Sequence, residues 1–471
     1  MNRIRSTLTE LKETLALALP IMAGQLGQML MGLADTVMIS RVGTVPLAAA
    51  ALGNTLASVL MVSGIGLLTA VAVQVSHAHG ARDGRASGDS LRHGLLISAA
   101  LGLLVILAGA AGWLLLPRLG QDDEVVAALA PYLTAVLPSL VLVFAATALK
   151  NFSEAQSSPW VPFWITFGGV VLNVVLNWVL IFGHAGFPEL GLLGAGIATF
   201  LSRLAIALGL FAYVWGAARF ASSRPRAWLL PPCARQLAAQ FRLGLPVAVQ
   251  LLVEVGAFGA ASLLIGSLGA GPLAAHQVAI TVAATIFMLP LGLGMATTVR
   301  IGQVLGAREA GRVRRIGFGA LGAVTAFMMA SALFLLAAAP SIARLFTPDP
   351  EVIRLAIPLL IVAGWFQLVD GIQVVSIGAL RGLKDVRVPA WIAFSAYWLA
   401  ALPIGWLLGF PLGLGATGVW IGLAIGLAAA AAGLTVRFWK KSTQAGTCQT
   451  SDLQALSPTQ SGRGEMADAQ A

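Results

Sequence analysis

Apolar stretches of bilayer length recur through this chain from end to end, and few folds tolerate that. Twelve can be read, with cores near 13–39, 47–75, 94–116, 129–149, 160–182, 191–217, 238–267, 273–298, 316–339, 355–378, 388–409 and 413–436. A helix rises 1.5 Å per residue, so about 20 apolar residues cross a hydrocarbon core of about 30 Å. The runs are too long and too poor in alternation to be barrel strands. In lipid each segment must satisfy its own backbone groups, which predicts an all-α polytopic membrane protein with 12 transmembrane helices. A content of 58% hydrophobic and 10% charged residues agrees, since soluble domains carry roughly 25% charge. The first run is longer than the apolar part of a signal peptide, contains Asp35 and lacks a small-residue cleavage site. It is predicted to stay in the membrane.

Lys and Arg fix the expected orientation. With the N-terminus inside, 23 of the 29 fall on the cytoplasmic side and 4 (Arg41, Arg118, Arg344, Arg354) outside, with Arg203 in a span and Arg463 in the distal tail. That asymmetry predicts both termini in the cytoplasm. It also accounts for the net charge of +10 without a nucleic-acid partner. Cys233 and Cys448, in a basic linker and the tail, are expected to be free thiols.

The first half of the chain returns in the second. A shift of 226 positions pairs Leu19-Pro20 with Leu245-Pro246, Gly43 with Gly269, Pro46-Leu47-Ala48-Ala49 with Pro272-Leu273-Ala274-Ala275, Gly66 with Gly292, and Gly80-Ala81-Arg82 with Gly306-Ala307-Arg308. Two pseudo-symmetric six-helix lobes follow. Because six is even, the repeat is parallel, about an axis along the membrane normal. The expected division is an N-lobe at 1–217, a basic cytoplasmic linker at 218–236, a C-lobe at 237–441 and a disordered cytoplasmic tail at 442–471. Two lobes able to rock about a central cleft suit a transporter.

Of nineteen carboxylates only Asp35, Glu254 and Asp370 lie deep in spans. Ionisable groups at that depth are costly and mark ion or substrate paths. Glu254 and Asp370 lie roughly 20 and 22 Å below the outer ends of their helices, one layer, where two acids can hold a cation or share a proton. Gln250, Gln367 and Gln373 are neutral oxygen donors nearby. Asp35 lies shallower, roughly 7 Å deep, at a level that Asn177, Asn173 and Thr199 also reach. An Asp among neutral oxygens suits a hard cation such as Na⁺, or a proton. Asn, Gln and Thr also serve as plain interhelical glue.

Four stretches resemble one family: LALPIMAGQLGQMLMGLADTVMIS (17–40), LGLPVAVQLLVEVGAFGAASLLIGSLGAGPLAAHQVAIT (243–281), FMLPLGLGMATTVRIGQVLGARE (287–309) and FQLVDGIQVVSIGALRGLKD (366–385). The chain is similar over nearly all of 10–440 to the multidrug and toxic compound extrusion (MATE) transporters, NorM-like bacterial branch. The resemblance implies an inner-membrane antiporter exporting organic, often cationic compounds in exchange for Na⁺ or H⁺. It also implies coupling-ion binding at the matching acids Asp35, Glu254 and Asp370. Some relatives have a tyrosine beside the cation site where this chain has Phe366, which keeps an aromatic face but loses the hydroxyl. The expected ligands are therefore Glu254 with Asp370, or Asp35 with Asn173 and Asn177, supported by Thr199, Phe366 and Gln250. No cofactor beyond the coupling cation is expected, and the expected state is a monomer among membrane lipids.

Met22, Met29, Met31, Met38, Met61, Met288 and Met295 with Phe258 and Phe287 would form a soft cleft, though helical Met and Phe more often simply pack. His276-Gln277 stays unassigned. Gly413-Leu-Gly-Ala-Thr-Gly418 fits GxGxxG but follows no strand, and the sequence has no Walker A motif. His77-Ala-His79 lacks partners at metal-ligand spacing and reads as a solvated pair. No HExxH or embedded Ser/His pair suggests an enzyme. The alternative is a lipid-linked precursor flippase, which a cleft with only Arg203 as an embedded base disfavours.

Overall fold

The computed structural model describes residues 2–115, 123–225 and 231–455. Arg118, Arg226 and the tail from 456, with Arg463, lie outside the described residues, as do the side chains of Arg3, Arg5 and Cys448. All regular structure among the described residues is helical. Twelve helices are long and apolar enough to cross a membrane. The first lobe holds α1 (Asn2–Ser40), α2 (Thr44–Gly80), α3 (Gly84–Leu115), α4 (Asp123–Ala155), α5 (Trp160–Phe182) and α6 (Gly191–Gly216). The second holds α7 (Ala234–Gly266), α8 (Ala270–Gly306), α9 (Val313–Phe346), α10 (Pro350–Gly382), α11 (Arg387–Gly409) and α12 (Gly415–Ala455). The last helix runs past Ser442, where composition predicts a disordered tail to begin, as far as Ala455.

The repeat is visible in the backbone. Four helices, α2, α4, α8 and α10, end with a non-glycine residue in the left-handed region: Arg82 (φ 57°), Ser157 (φ 57°), Arg308 (φ 60°) and Lys384 (φ 60°). Each end is closed by the same six-residue bond, Asp83 N–H to Ala78, Ser158 to Ser153, Glu309 to Val304 and Asp385 to Leu380, at 2.8–3.1 Å. That is the Schellman closure, which satisfies carbonyls a helix otherwise orphans. Gly43 (φ 152°) and Gly269 (φ 118°) open α2 and α8 in a conformation L side chains rarely adopt.

Packing follows the repeat too. In the first lobe α4 packs on α2, α3 and α6; in the second α10 packs on α8, α9 and α12. The lobes meet where α1 crosses α8 and α7 crosses α2, and where α2 meets α8. This seam occupies the half of the helices nearest the face where α1 begins and α12 ends, termed here the terminal face. A Cβ on Gly80 would collide with the Gln303 carbonyl, one on Gly306 with the His77 carbonyl, and one on Gly66 or Gly292 with backbone of Ala248 or Met22. Backbone therefore lies on backbone. His77 Nε2–H donates to the Gly382 carbonyl at 2.9 Å, and Gln303 Nε2 donates to Ala155 O and Ser157 Oγ, each at 2.9 Å. His77 and Gln303 are repeat-equivalent, so the two bonds form a symmetric pair of latches. His77 is thus half-buried in the seam rather than solvated, while His79 is exposed as the sequence suggested.

Ion pairs close one flank of the seam. Glu10 of α1, buried, meets Arg300 of α8 at 3.0 Å and Arg312 at 2.5 Å, Glu13 also reaches both, and Glu309 holds Arg312 at 2.5 Å. On the repeat-related flank neutral amides do the joining, Gln240 Nε2 to Ser90 O at 2.7 Å and Gln236 Nε2 to Asp89 at 3.4 Å. Away from the terminal face, Gly27 and Gly32 of α1 and Gly259 of α7 face open space.

Candidate functional site

Each lobe holds a polar group on its first helix. In the N-lobe, Asp35 sits half-buried on α1, and Asn177 Nδ2 donates to its Oδ1 at 2.5 Å. The same amide donates to Asn173 Oδ1 at 3.2 Å, one turn along α5, as the four-residue spacing predicts. Asn177 Oδ1 is left buried without a partner, an oxygen beside a carboxylate that suits a hard cation. Thr199 is buried at 6% exposure but makes no side-chain hydrogen bond to this group. Two residues not anticipated in this role adjoin it. Arg203 Nη1 donates to Ser139 Oγ at 2.6 Å, the Tyr132 hydroxyl donates to Asn54 Oδ1 at 3.0 Å, and both side chains interact electrostatically with Asp35.

In the C-lobe, Asp370 on α10 is 6% exposed and feels the charge of Glu254, half-buried on α7. Gln250, Gln367 and Gln373 are all buried around them. Gln367 Oε1 has no partner, a second vacant oxygen. Phe366 lies inside an aromatic wall, with its ring 6.0 Å from Phe258 and 5.5 Å from Trp420. His276 belongs to the wall's structure rather than to a cleft. It accepts from Trp420 Nε1 at Nδ1, 3.1 Å, and pairs through Nε2 with Ser262 Oγ at 2.9 Å.

Three features of this centre escape sequence reading. Tyr397, fully buried, donates its hydroxyl to Gln373 Oε1 at 3.2 Å and also stands within hydrogen-bond reach of Glu254. One hydroxyl proton serves one acceptor at a time, and here it goes to the amide while the carboxylate acts on the tyrosine electrostatically. It lies in a π-helical stretch of α11, Ser395–Ala401. Such wide turns gather at functional sites, and Pro403, lacking an N–H for the Leu399 carbonyl, helps to make one here. Arg381, in the last turn of α10, turns back from the terminal face to reach Gln250 Oε1 at 3.5 Å and acts electrostatically on Glu254. Each acidic group thus has one embedded base nearby, and Arg203 is not the sole one.

The family model described as MatE matches residues 20–179 and 246–407, one stretch in each lobe. The chain belongs to the MatE family. It is 39% identical over 436 residues to a probable multidrug resistance protein NorM of Bradyrhizobium diazoefficiens, covering 91% of this chain and 93% of that one. A protein of the same description from Pseudomonas putida is 38% identical over 447 residues, covering 92% and 95%. Among solved structures, an outward-facing multidrug resistance MATE family transporter superposes with a TM-score of 0.87 at 21% identity, over 93% of this chain and 97% of that one. A eukaryotic MATE transporter gives 0.82 at 23% identity, over 94% and 99%. At such identities the structures speak for the fold. Within this MATE chain, Tyr397 is one of three tyrosines, six residues before Pro403 in the eleventh span.

The hydroxyl of Tyr397 can be tested directly. A net hydrogen bond contributes about 1 kcal/mol. Tyr397→Phe is therefore expected to weaken the half-saturating concentration of the driving cation about fivefold, with the maximal rate within about twofold. An unchanged cation dependence would remove the hydroxyl from the centre.

Proposed function

We propose that this MATE protein is a secondary multidrug antiporter, exporting organic, often cationic compounds in exchange for Na⁺ or H⁺. Family membership supports transport. The single observation that carries the coupling reading is the pairing of buried Asp370 with Glu254 beside a buried, unpartnered amide oxygen. Cation or proton binding there, and at Asp35 with Asn173 and Asn177, stabilises the lobe conformations unequally. Only such a difference in affinity can drive a conformational exchange. Tyr397, bonded to Gln373 and coupled electrostatically to Glu254, links the charge on α7 to α10 and α11. The terminal face is read as cytoplasmic, in the bacterial inner membrane, from the distribution of Lys and Arg. The protein is read as a monomer and not an enzyme.

The test is ethidium efflux from proteoliposomes under an imposed Na⁺ or H⁺ gradient, each applied alone, with empty vesicles as control. Acceleration by one gradient names the coupling ion. Absence of gradient-dependent flux with several test cations, in correctly oriented protein, refutes the antiport reading and favours the flippase.

A further inference from the structure

The bases of the terminal face are not equivalent. Arg300 and Arg312 are neutralised across the seam by Glu10 and Glu13. Arg437 takes both oxygens of Asp385, at 2.7 and 3.1 Å. Arg314 and Arg315, in the first turn of α9, and Lys440 and Lys441, on α12, remain exposed, with no ion pair to any described residue. The two helices touch at this level, the Phe318 and Phe438 rings lying 5.5 Å apart. Arg314 bridges them: its guanidinium carbon is 5.8 Å from the Phe318 ring centre on its own helix and 6.0 Å from that of Trp439 on the other. The aromatic contacts hold one base between the two helices, and Arg315 follows it on α9 while Lys440 and Lys441 follow Trp439 on α12.

Below the bases the surface turns apolar. Phe318 and Trp439 are 37% and 52% exposed, and Val436 and Met329 continue the exposed flanks of α12 and α9. A tryptophan with bases above it and aliphatic side chains below marks the level of lipid headgroups. We infer that the terminal-face ends of α9 and α12 form a binding site for the phosphate of an anionic phospholipid. Arg314 offers a planar fork to two phosphate oxygens and the neighbouring bases add charge, as in other basic pockets between membrane helices. The glycerol and acyl chains run down the Phe318, Trp439 and Val436 flank. Continuity with that flank favours a lipid over a soluble anion. The site is independent of the coupling ion and of transport.

The experiment uses the purified full chain in detergent, with native mass spectrometry and thermal unfolding in the presence of cardiolipin, phosphatidylglycerol, phosphatidylcholine or glycerol 3-phosphate. The wild type is expected to bind the anionic lipids at least tenfold more tightly than phosphatidylcholine and to melt higher with them. Combined Arg314→Gln, Arg315→Gln, Lys440→Gln and Lys441→Gln abolishes that preference, whereas Arg82→Gln with Arg85→Gln keeps it. Arg314→Lys, which preserves charge and fold but not the fork, loses the preference several-fold. The inference is overturned by a wild type without anionic preference, by equal loss in the Arg82/Arg85 variant, by an unaffected Arg314→Lys, or by glycerol 3-phosphate binding as tightly as lipid.

Discussion

Asp370→Asn reconstituted into vesicles is expected to lose gradient-driven efflux altogether, at least a hundredfold below wild type, while still binding the organic cation. Asp370 is the more deeply enclosed member of the acid pair, and Phe366, Gln367 and Gln373, about one turn away on its own helix, are buried with it. Its amide isostere keeps volume and packing but cannot take up a proton or supply a charge to a cation. The bias between the two lobe arrangements then no longer depends on the ion, and a gradient has nothing to act through. Glu254→Gln is expected to match it, and the double variant to be no worse than either, because residues acting as one unit are not additive. The measurement is ethidium flux with and without the gradient, alongside equilibrium ethidium binding. Gradient-driven flux near wild type in Asp370→Asn would falsify the coupling role.

Gly80→Val and Gly306→Val are the second pair of large effects. At both positions a side chain meets a carbonyl of the opposite lobe, at Gln303 and His77, and backbone cannot yield as the end of a flexible side chain can. The lobes themselves keep their cores, so folding is expected to survive while the seam cannot close. Gradient-driven efflux should fall at least tenfold. With Ser76→Cys added, the new thiol, at a position buried in the seam, should become reactive to a water-soluble maleimide supplied from the terminal face. Gly27→Val and Gly32→Val, whose new side chains meet nothing within 4 Å, serve as controls and should leave transport within about twofold. Valine variants at Gly80 and Gly306 with full efflux and an unreactive thiol at position 76 would show that the seam opens by some other path.

The helices and their duplication were legible because bilayer length and an offset of 226 are properties of a single string. So was the pairing of Asp35 with Asn177 and Asn173, since depth and four-residue spacing bring those side chains to one level. Tyr397 was not, because its place depends on a π-helical turn that redirects the side chain, and nothing in the spacing of α11 announces one. The contact of Arg381 with Gln250 was not legible either: charge counting places the backbone of a helix end, and a long side chain there can still fold back toward a buried acid. His77 read as solvated because its partner, the Gly382 carbonyl, lies on a helix far along the chain, in the other lobe.

The offset of 226 equates Glu254 with Gln28 and Asp35 with Ala261, and the matching helix ends at Ser157 and Lys384, one position further apart, equate Asp370 with Val143, so the backbone was copied and the acids were not. Under the proposed coupling, closure rests on residues at the ends of α2 and α8 and ion choice on side chains of α7, α10 and α11. Gate and ion specificity are therefore separable traits, and a lineage can retune one without rebuilding the other.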